Sequence, residues 1–214
     1  MTKQDRQREQ AAAGLEQLAS LVRAQAWRSD GVPALPPTQA SVLRMLAATK
    51  EGLRARQIAE RIGVSPASLS DSLKAMEAKE WIRRDVDEID RRASLVRLTR
   101  QGRALVTRLN HPNRGMAALM QDLDADDVGA LLRVTQLLVG QAQQQGLATG
   151  LRTCLGCRFF RPFASADPDR PHFCAFVNAP FGDAELRADC AEQLPADDEL
   201  IAANRERFRL RSPP

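Results

Sequence analysis

Four cysteines, Cys154, Cys157, Cys174 and Cys190, lie in one stretch, and no cysteine occurs elsewhere in the 214-residue chain. Their spacing is Cys-x2-Cys-x16-Cys-x15-Cys. A Cys-x2-Cys pair can place two thiolates on one metal or cluster, and two later thiolates complete four-fold ligation. Disulfides are disfavoured in a reducing compartment. A redox-active dithiol and inert core cysteines are the competing readings. The confinement of every thiol to one segment argues against the second. Structural zinc commonly uses two Cys-x2-Cys knuckles, and only the first pair here has that spacing. His172, two residues before Cys174, is either an alternative ligand or a hydrogen-bonding residue. His111, beside Pro112, reads as structural.

The aromatic residues follow the cysteines. All seven Phe lie beyond residue 150, and the first 150 residues hold only Trp27 and Trp81. Phe159, Phe160, Phe163, Phe173 and Phe176 each fall within six residues of a Cys, close enough in sequence to sheathe a cluster from solvent. They would also form the core of a small module that needs a metal to stay folded. Cys154-x2-Cys157-x-Phe159, the middle Cys174-Ala-Phe176 and the last Cys190 followed by Ala191 locally resemble the cluster-binding half of high-potential iron–sulfur proteins. That resemblance favours a 4Fe–4S cluster over zinc. It covers about 40 residues, and the chain has no Tyr. The polar, glycine-bounded stretch Gly140–Gly150 is the expected boundary between a domain over 1–146 and a cysteine module with its tail over 151–214.

The first 150 residues read as helices and a hairpin. Leu15, Leu18, Val22 and Ala26 make a one-sided stripe on a helix over 8–27, and the Pro-rich segment 29–37 is a loop. Thr38 is expected to cap a helix to Ala48 carrying Val42, Leu43 and Leu46 inward. A helix over 54–62 with Ile58 and Ile62 meets a turn at Gly63-Val64, and Ser65-Pro66 opens another helix to Lys79 with Leu69, Leu73 and Met76 on one face. The small Ala59 and the turn at Gly63 suit a helix-turn-helix. The exposed face of its second helix then holds Ser68, Ser70, Asp71, Ser72 and Lys74, short polar groups suited to phosphates and base edges, with Ser65 at its start. Segments 81–86 and 93–98 read as paired strands, and Asp87–Arg92 as a charged tip between them. Residues 52–109 hold 13 Lys/Arg against 8 Asp/Glu, a net of +5 beside +4 for the whole chain. That charge favours an acidic partner.

Helix, helix and a two-stranded wing over residues 36–109 resemble the MarR family of bacterial regulators. The residues that carry the likeness are Leu35-Pro-Pro-Thr-Gln-Ala-Ser-Val-Leu43, Asp87-x-x-Asp90-Arg91-Arg92-Ala93 and Leu95-Val96-Arg97-Leu98-Thr99-x-x-Gly102-x-x-Leu105. The resemblance implies that Asp90 braces the wing, that Arg92 enters the minor groove, and that Ser68, Ser70 and Lys74 lie on the recognition helix. Ser65, Asp71, Arg83 and Arg91 complete the expected DNA-binding set. Thr99 should cap a helix to Leu119 and Asp124 the next, with Val128, Leu131, Leu132, Leu137 and Leu138 as its apolar positions. In MarR-like proteins the first and last two helices pair two subunits, and a two-helix reader gains site length by pairing.

The expected fold is therefore mainly α with a small β-wing, dimerisation helices and a Cys-rich metal or cluster module. The expected function is a homodimeric regulator, a repressor of transcription, that binds double-stranded operator DNA under control of an iron–sulfur cluster. A ligand-responsive regulator with structural zinc and a small-molecule effector is the alternative, and a cluster-based electron carrier or enzyme a further one. No nucleotide loop, triad or acid pair near a His supports an enzyme. No run approaches the ~20 apolar residues of a membrane span, and the polar start gives no signal peptide, so a soluble cytoplasmic protein is expected.

Overall fold

The computed structural model describes residues 1–26, 35–49, 51–88, 90–91, 93–110, 115–147 and 150–210. Trp27, the loop residues 29–34, Arg92 and His111 lie outside them. The elements are mainly helical, as the hydrophobic periodicity predicts. In chain order they are α1 (Lys3–Ala26), α2 (Pro37–Ala47), β1 (Leu53–Arg54), α3 (Ala55–Ile62), α4 (Pro66–Ala78), β2 (Ile82–Val86) and β3 (Ser94–Leu98). There follow α5 (Arg100–Leu109), α6 (Gly115–Leu119), α7 (Ala125–Gln144), β4 (Phe160–Arg161), β5 (His172–Cys174), β6 (Ala179–Phe181) and α8 (Asp198–Leu210).

The chain divides into two compact units: 1–52 with 69–121, and 53–68 with 122–214. This line differs from the boundary expected at Gly140–Gly150. The reason is that α7 carries buried polar residues bonded to the segment after Gly150, so helix and segment fold as one body. The other division falls inside α4, a continuous helix.

In the first unit α2 packs against α5 and β3, and α1 meets α6. Val42, Leu43 and Leu46 of α2, Leu69, Leu73 and Met76 of α4, Ile82, Val96 and Leu98 of the hairpin and Leu105 are all buried. α2 is not capped by Thr38. It starts after Pro36 with Pro37 inside its first turn and no side-chain cap, because proline already holds the backbone for helix entry. β2 and β3 pair antiparallel from Ile82↔Leu98 to Val86↔Ser94. Thr99 caps α5 as expected, its hydroxyl accepting from the Gly102 N–H at 3.0 Å. The single helix expected from Thr99 to Leu119 is instead two, α5 and α6. Asn110 closes α5, and Pro112 of the intervening sequence lacks the N–H that a continuing helix needs.

In the second unit α3 ends at Gly63, whose φ of 67° is the left-handed conformation the turn requires. Asp124 caps α7 by accepting from the Asp127 N–H at 2.8 Å. β4, β5 and β6 form a small antiparallel sheet in which Phe160 pairs with Cys174 and His172 with Phe181. Helix α8 closes this sheet with Phe208, which is fully buried.

Of the apolar positions of α7, Leu132 and Leu137 pack against the buried cluster of the unit, beside a polar stripe. Gly129, Arg133 and Gln136 are buried, while Leu131, Val134 and Leu138 are 38–50% exposed. The periodicity is helical as predicted, but the polar stripe faces the rest of the unit because backbone groups there satisfy it.

Candidate nucleic-acid interface and cysteine site

On α4 the outward residues are Ser68, Asp71 and Lys74, with Ser70 and Ser72 half-buried. Ser65 caps the helix, its hydroxyl accepting from the Ser68 N–H at 3.2 Å. Lys74 Nζ stands 3.8 Å from Asp71 Oδ1, with both side chains mostly exposed. Such a pair is worth little, so Lys74 remains available to phosphate. Arg83 Nη2 lies 3.1 Å from Asp85 Oδ2, and Arg97 Nε lies 3.5 Å from the same oxygen; with its side chain 59% exposed, Arg83 too remains available to phosphate. Asp85 thus bridges the two strands. At the wing, Asp87 joins Asp90. The Asp87 N–H donates to Ala93 O at 3.1 Å, the Ala93 N–H to Asp90 O at 2.8 Å, and the Asp90 N–H to Asp87 Oδ1 at 3.3 Å. The bracing expected of Asp90 is shared with the buried Asp87, and Arg91 stands exposed at the tip they hold.

The four cysteines line one cavity of about 410 Å³. All four are free thiols. The Cys154–Cys157 turn closes through a Cys157 N–H to Cys154 O bond of 2.9 Å, and Cys174 comes from β5. Cys190 is fixed by its own N–H, which donates to Arg152 O at 2.9 Å. The Arg187 N–H donates to Cys154 Sγ at 3.3 Å, a bond that favours thiolate. Burial outweighs it, and with the three other thiols it pushes Cys154 up to about 11. A redox-active dithiol needs the opposite shift. A cation bound here must displace that proton, so loading should weaken as pH falls.

Among the described residues no three His, Cys, Asp or Glu side chains are grouped closely enough to hold a single ion. Zn–S bonds of ~2.3 Å would gather the sulfurs into a tight tetrahedron. A four-iron cluster spreads its thiolates over four metal atoms.

Phe159, Phe160 and Phe176 line the cavity, together with Phe181, whose distance in sequence from any Cys hid it. Phe163 lies elsewhere, in an aromatic cage with Phe208 around His172. His172 is no ligand. It is fully buried, and its Nδ1 accepts from the Phe163 N–H at 3.3 Å. That bond leaves the ring proton on Nε2, 2.7 Å from Asp183 Oδ1. Arg133 of α7 reaches Asp183 at 3.8 Å and donates to Phe208 O, with its guanidinium 4.3 Å from the Phe208 ring centre.

Gln136, the other buried polar residue of α7, was invisible in the sequence. Its Oε1 accepts from the Leu155 N–H at 3.0 Å and its Nε2 donates to Arg187 O at 2.8 Å. It therefore holds both the residue that follows Cys154 and the residue whose N–H meets the Cys154 sulfur. Replacing Gln136 by Leu would leave two backbone groups unpaired at ~1–3 kcal/mol each. We expect Gln136→Leu to lower the thermal midpoint and the metal content together, read by calorimetry and by metal analysis of one preparation. Wild-type values for both would remove Gln136 from this role.

The MarR family model matches residues 35–93. The transcriptional repressor CouR bound to a 23-mer DNA duplex aligns with a TM-score of 0.54 at 26% identity, over 65% of this chain and 99% of that one. Residues 35–93 are thus similar to the MarR family, and the chain shares the winged-helix fold of these regulators. Two further structures share the fold at lower identity. Sco3205, a MarR family transcriptional regulator from Streptomyces coelicolor in complex with DNA, gives 0.54 at 21%, over 63% of this chain and 87% of that one. CouR from Rhodococcus jostii bound to p-coumaroyl-CoA gives 0.51 at 22%, over 58% and 87%. No curated protein sequence matches the chain. The MarR match ends at residue 93, so all four cysteines lie outside it.

On the second helix of the helix-turn-helix, Lys74 and Ser68 make separate expectations. Removing Lys74 should weaken binding to all sequences alike and reduce the salt slope by about 1. Ser68→Ala should change the order of preference among duplex variants with the slope unaltered. Titrations at several salt concentrations distinguish the two, and the same uniform loss from both variants would end this division of roles.

Proposed function

We propose that the protein is a homodimeric, sequence-specific DNA-binding regulator, a MarR-type repressor of transcription, whose grip on its operator follows the state of a 4Fe–4S cluster held by Cys154, Cys157, Cys174 and Cys190. The observation that carries this reading is the convergence of the four thiols on one phenylalanine-lined cavity, in the same compact unit as α3 of the helix-turn-helix. The DNA arm is supported by the MarR match over 35–93 and by the likeness to CouR on its duplex. Pairing of two copies is supported by the outward stripe Leu131, Val134 and Leu138 on α7 and by exposed Leu15 and Leu21 on α1. Among the described residues no helix is long and apolar enough to cross a membrane.

A bound cluster would supply an oxidisable, oxygen-labile centre. The chain's own part is to present four thiolates, to shield them with Phe159, Phe160 and Phe181, and to hold Cys154 through Arg187 and Gln136. Protein purified without oxygen tests the reading. It should be brown and carry about four iron and four acid-labile sulfide per chain, and its affinity for DNA should change when air or a chelator removes the colour. A colourless chain with one zinc would replace the cluster by a structural metal, and affinity indifferent to loading would end the sensory role.

A further inference from the structure

Residues 53–68, with β1 and α3, share a compact unit with the cysteine site. Gly150 is where the two meet. A Cβ there would lie 2.8 Å from Arg61 Cγ, 2.9 Å from Arg61 N and 3.1 Å from its Cα, so only glycine lets the chain entering the cysteine site press on the backbone of α3. Two residues later stands Arg152. Its carbonyl accepts from the Cys190 N–H at 2.9 Å, its Nε lies 2.8 Å from Asp189 Oδ1, and its Nη1 reaches Ala191 O at 3.5 Å. Arg152 is thus fastened to Cys190 and to both neighbours of that cysteine.

Arg152 also acts on Arg61. Burial and the charge of Arg152 push the Arg61 guanidinium below its usual range, and Asp189 opposes them. The Arg61 Nη1 atom is buried and has no hydrogen-bond partner among the described residues. Gly150, seated against the Arg61 backbone and two residues before Arg152, brings the two guanidinium-bearing residues into one neighbourhood, and the carboxylate bonded to Arg152 is that of Asp189, next to Cys190 in the chain.

We propose that the Asp189–Cys190 segment sets the position of α3 through Arg152 and Arg61, so that loading of the cysteine site is transmitted to the helix-turn-helix directly, along a route separate from subunit pairing. The inference rests on the four cysteines acting as one ligand set, not on which metal they hold. With Cys190 held as a ligand, Asp189 stays against Arg152 and offsets the repulsion. With Cys190 released, Asp189 can leave, and the two guanidiniums repel at a partly desolvated site. Arg61 stands in the last turn of α3, and only Gly63-Val64-Ser65 separates α3 from α4. A shift at Arg61 is thereby carried along the chain to the recognition helix.

The test uses the full-length chain, loaded without oxygen or stripped with a chelator, on a duplex that the wild-type protein selects from a random pool. The wild-type affinities in the two states should differ by about tenfold or more. In Arg61→Ala the metal content should be unchanged and the ratio should fall to about twofold or less. A wild-type ratio in a fully loaded Arg61→Ala chain overturns the proposal. Hydrogen exchange on the wild type needs no variant: amides of residues 55–62 should exchange more slowly in the loaded chain, and equal rates in both states overturn it as well. A chain that holds zinc and no iron ends the iron–sulfur reading but leaves both measurements standing on the zinc-loaded form. A chain that holds no metal at these cysteines ends both.

Discussion

Each of the variants Cys154→Ser, Cys157→Ser, Cys174→Ser and Cys190→Ser is expected to lose about tenfold or more of its metal affinity, with Cys190 no less important than the Cys154–Cys157 pair. Spacing would suggest otherwise, since Cys190 is remote and has no Cys-x2-Cys partner. The structure places it on the same cavity, with its backbone fixed to Arg152. A thiolate cage missing one member leaves a coordination position to water and a strand end unattached, so the loss should be similar whichever member is removed. The first unit should stay folded in all four, because its buried residues lie within 35–106 and include no cysteine. Metal content per chain, measured beside affinity for the selected duplex, checks both halves. Full occupancy in Cys190→Ser would sink the four-ligand reading, and a wild-type response to air in all four variants would sink the sensory one.

Phe208→Ala should be the most damaging single truncation in the second unit, at about 3–5 kcal/mol. The ring is fully buried and stacks against Phe160, Phe163 and His172, and it lies under the guanidinium of Arg133. Its removal opens a hole at the point where α7, α8 and the β4–β5–β6 sheet converge. Neighbouring Asn204 donates to Phe160 O at 3.0 Å and Arg205 to Gln141 Oε1 at 3.0 Å, so the loosening should release α8 as a whole. Calorimetry of the loaded chain should show a markedly lower transition for this unit. A transition unmoved by the substitution would mean that α8 is dispensable.

What the sequence made legible followed from local rules. Thr99, Gly63, Asp124 and the Ser65-Pro66 start are each decided by one or two residues, and all appear where the cap and turn chemistry puts them. The wing was legible because its residue types, order and spacing agree with one pattern. The confinement of the four cysteines to one segment was legible too, and the four residues line one cavity.

What stayed hidden depends on contacts between residues far apart in the chain. Gln136 and Arg133 look like solvated positions on α7, and nothing local reveals that backbone groups 19 and 51 positions away bond Gln136. The tail around Phe208 gave no signal beyond one aromatic in a charged helix. The Asp85 tie to Arg83 and Arg97 was hidden by strand register, which sequence specifies only through the hydrophobic pattern.

The polar inner face of α7 also settles a question of indexing. A stripe of Leu and Val would tolerate the rest of the unit one helical turn higher or lower, a slide of ~5.4 Å, at modest cost. Gln136 tolerates none. Its amide oxygen and nitrogen meet one N–H and one carbonyl, and a slip by a turn would strand all four groups in a buried place. The Cys154 loop can dock on the helix in one position only, and the same two bonds that hold it there reject every neighbouring frame.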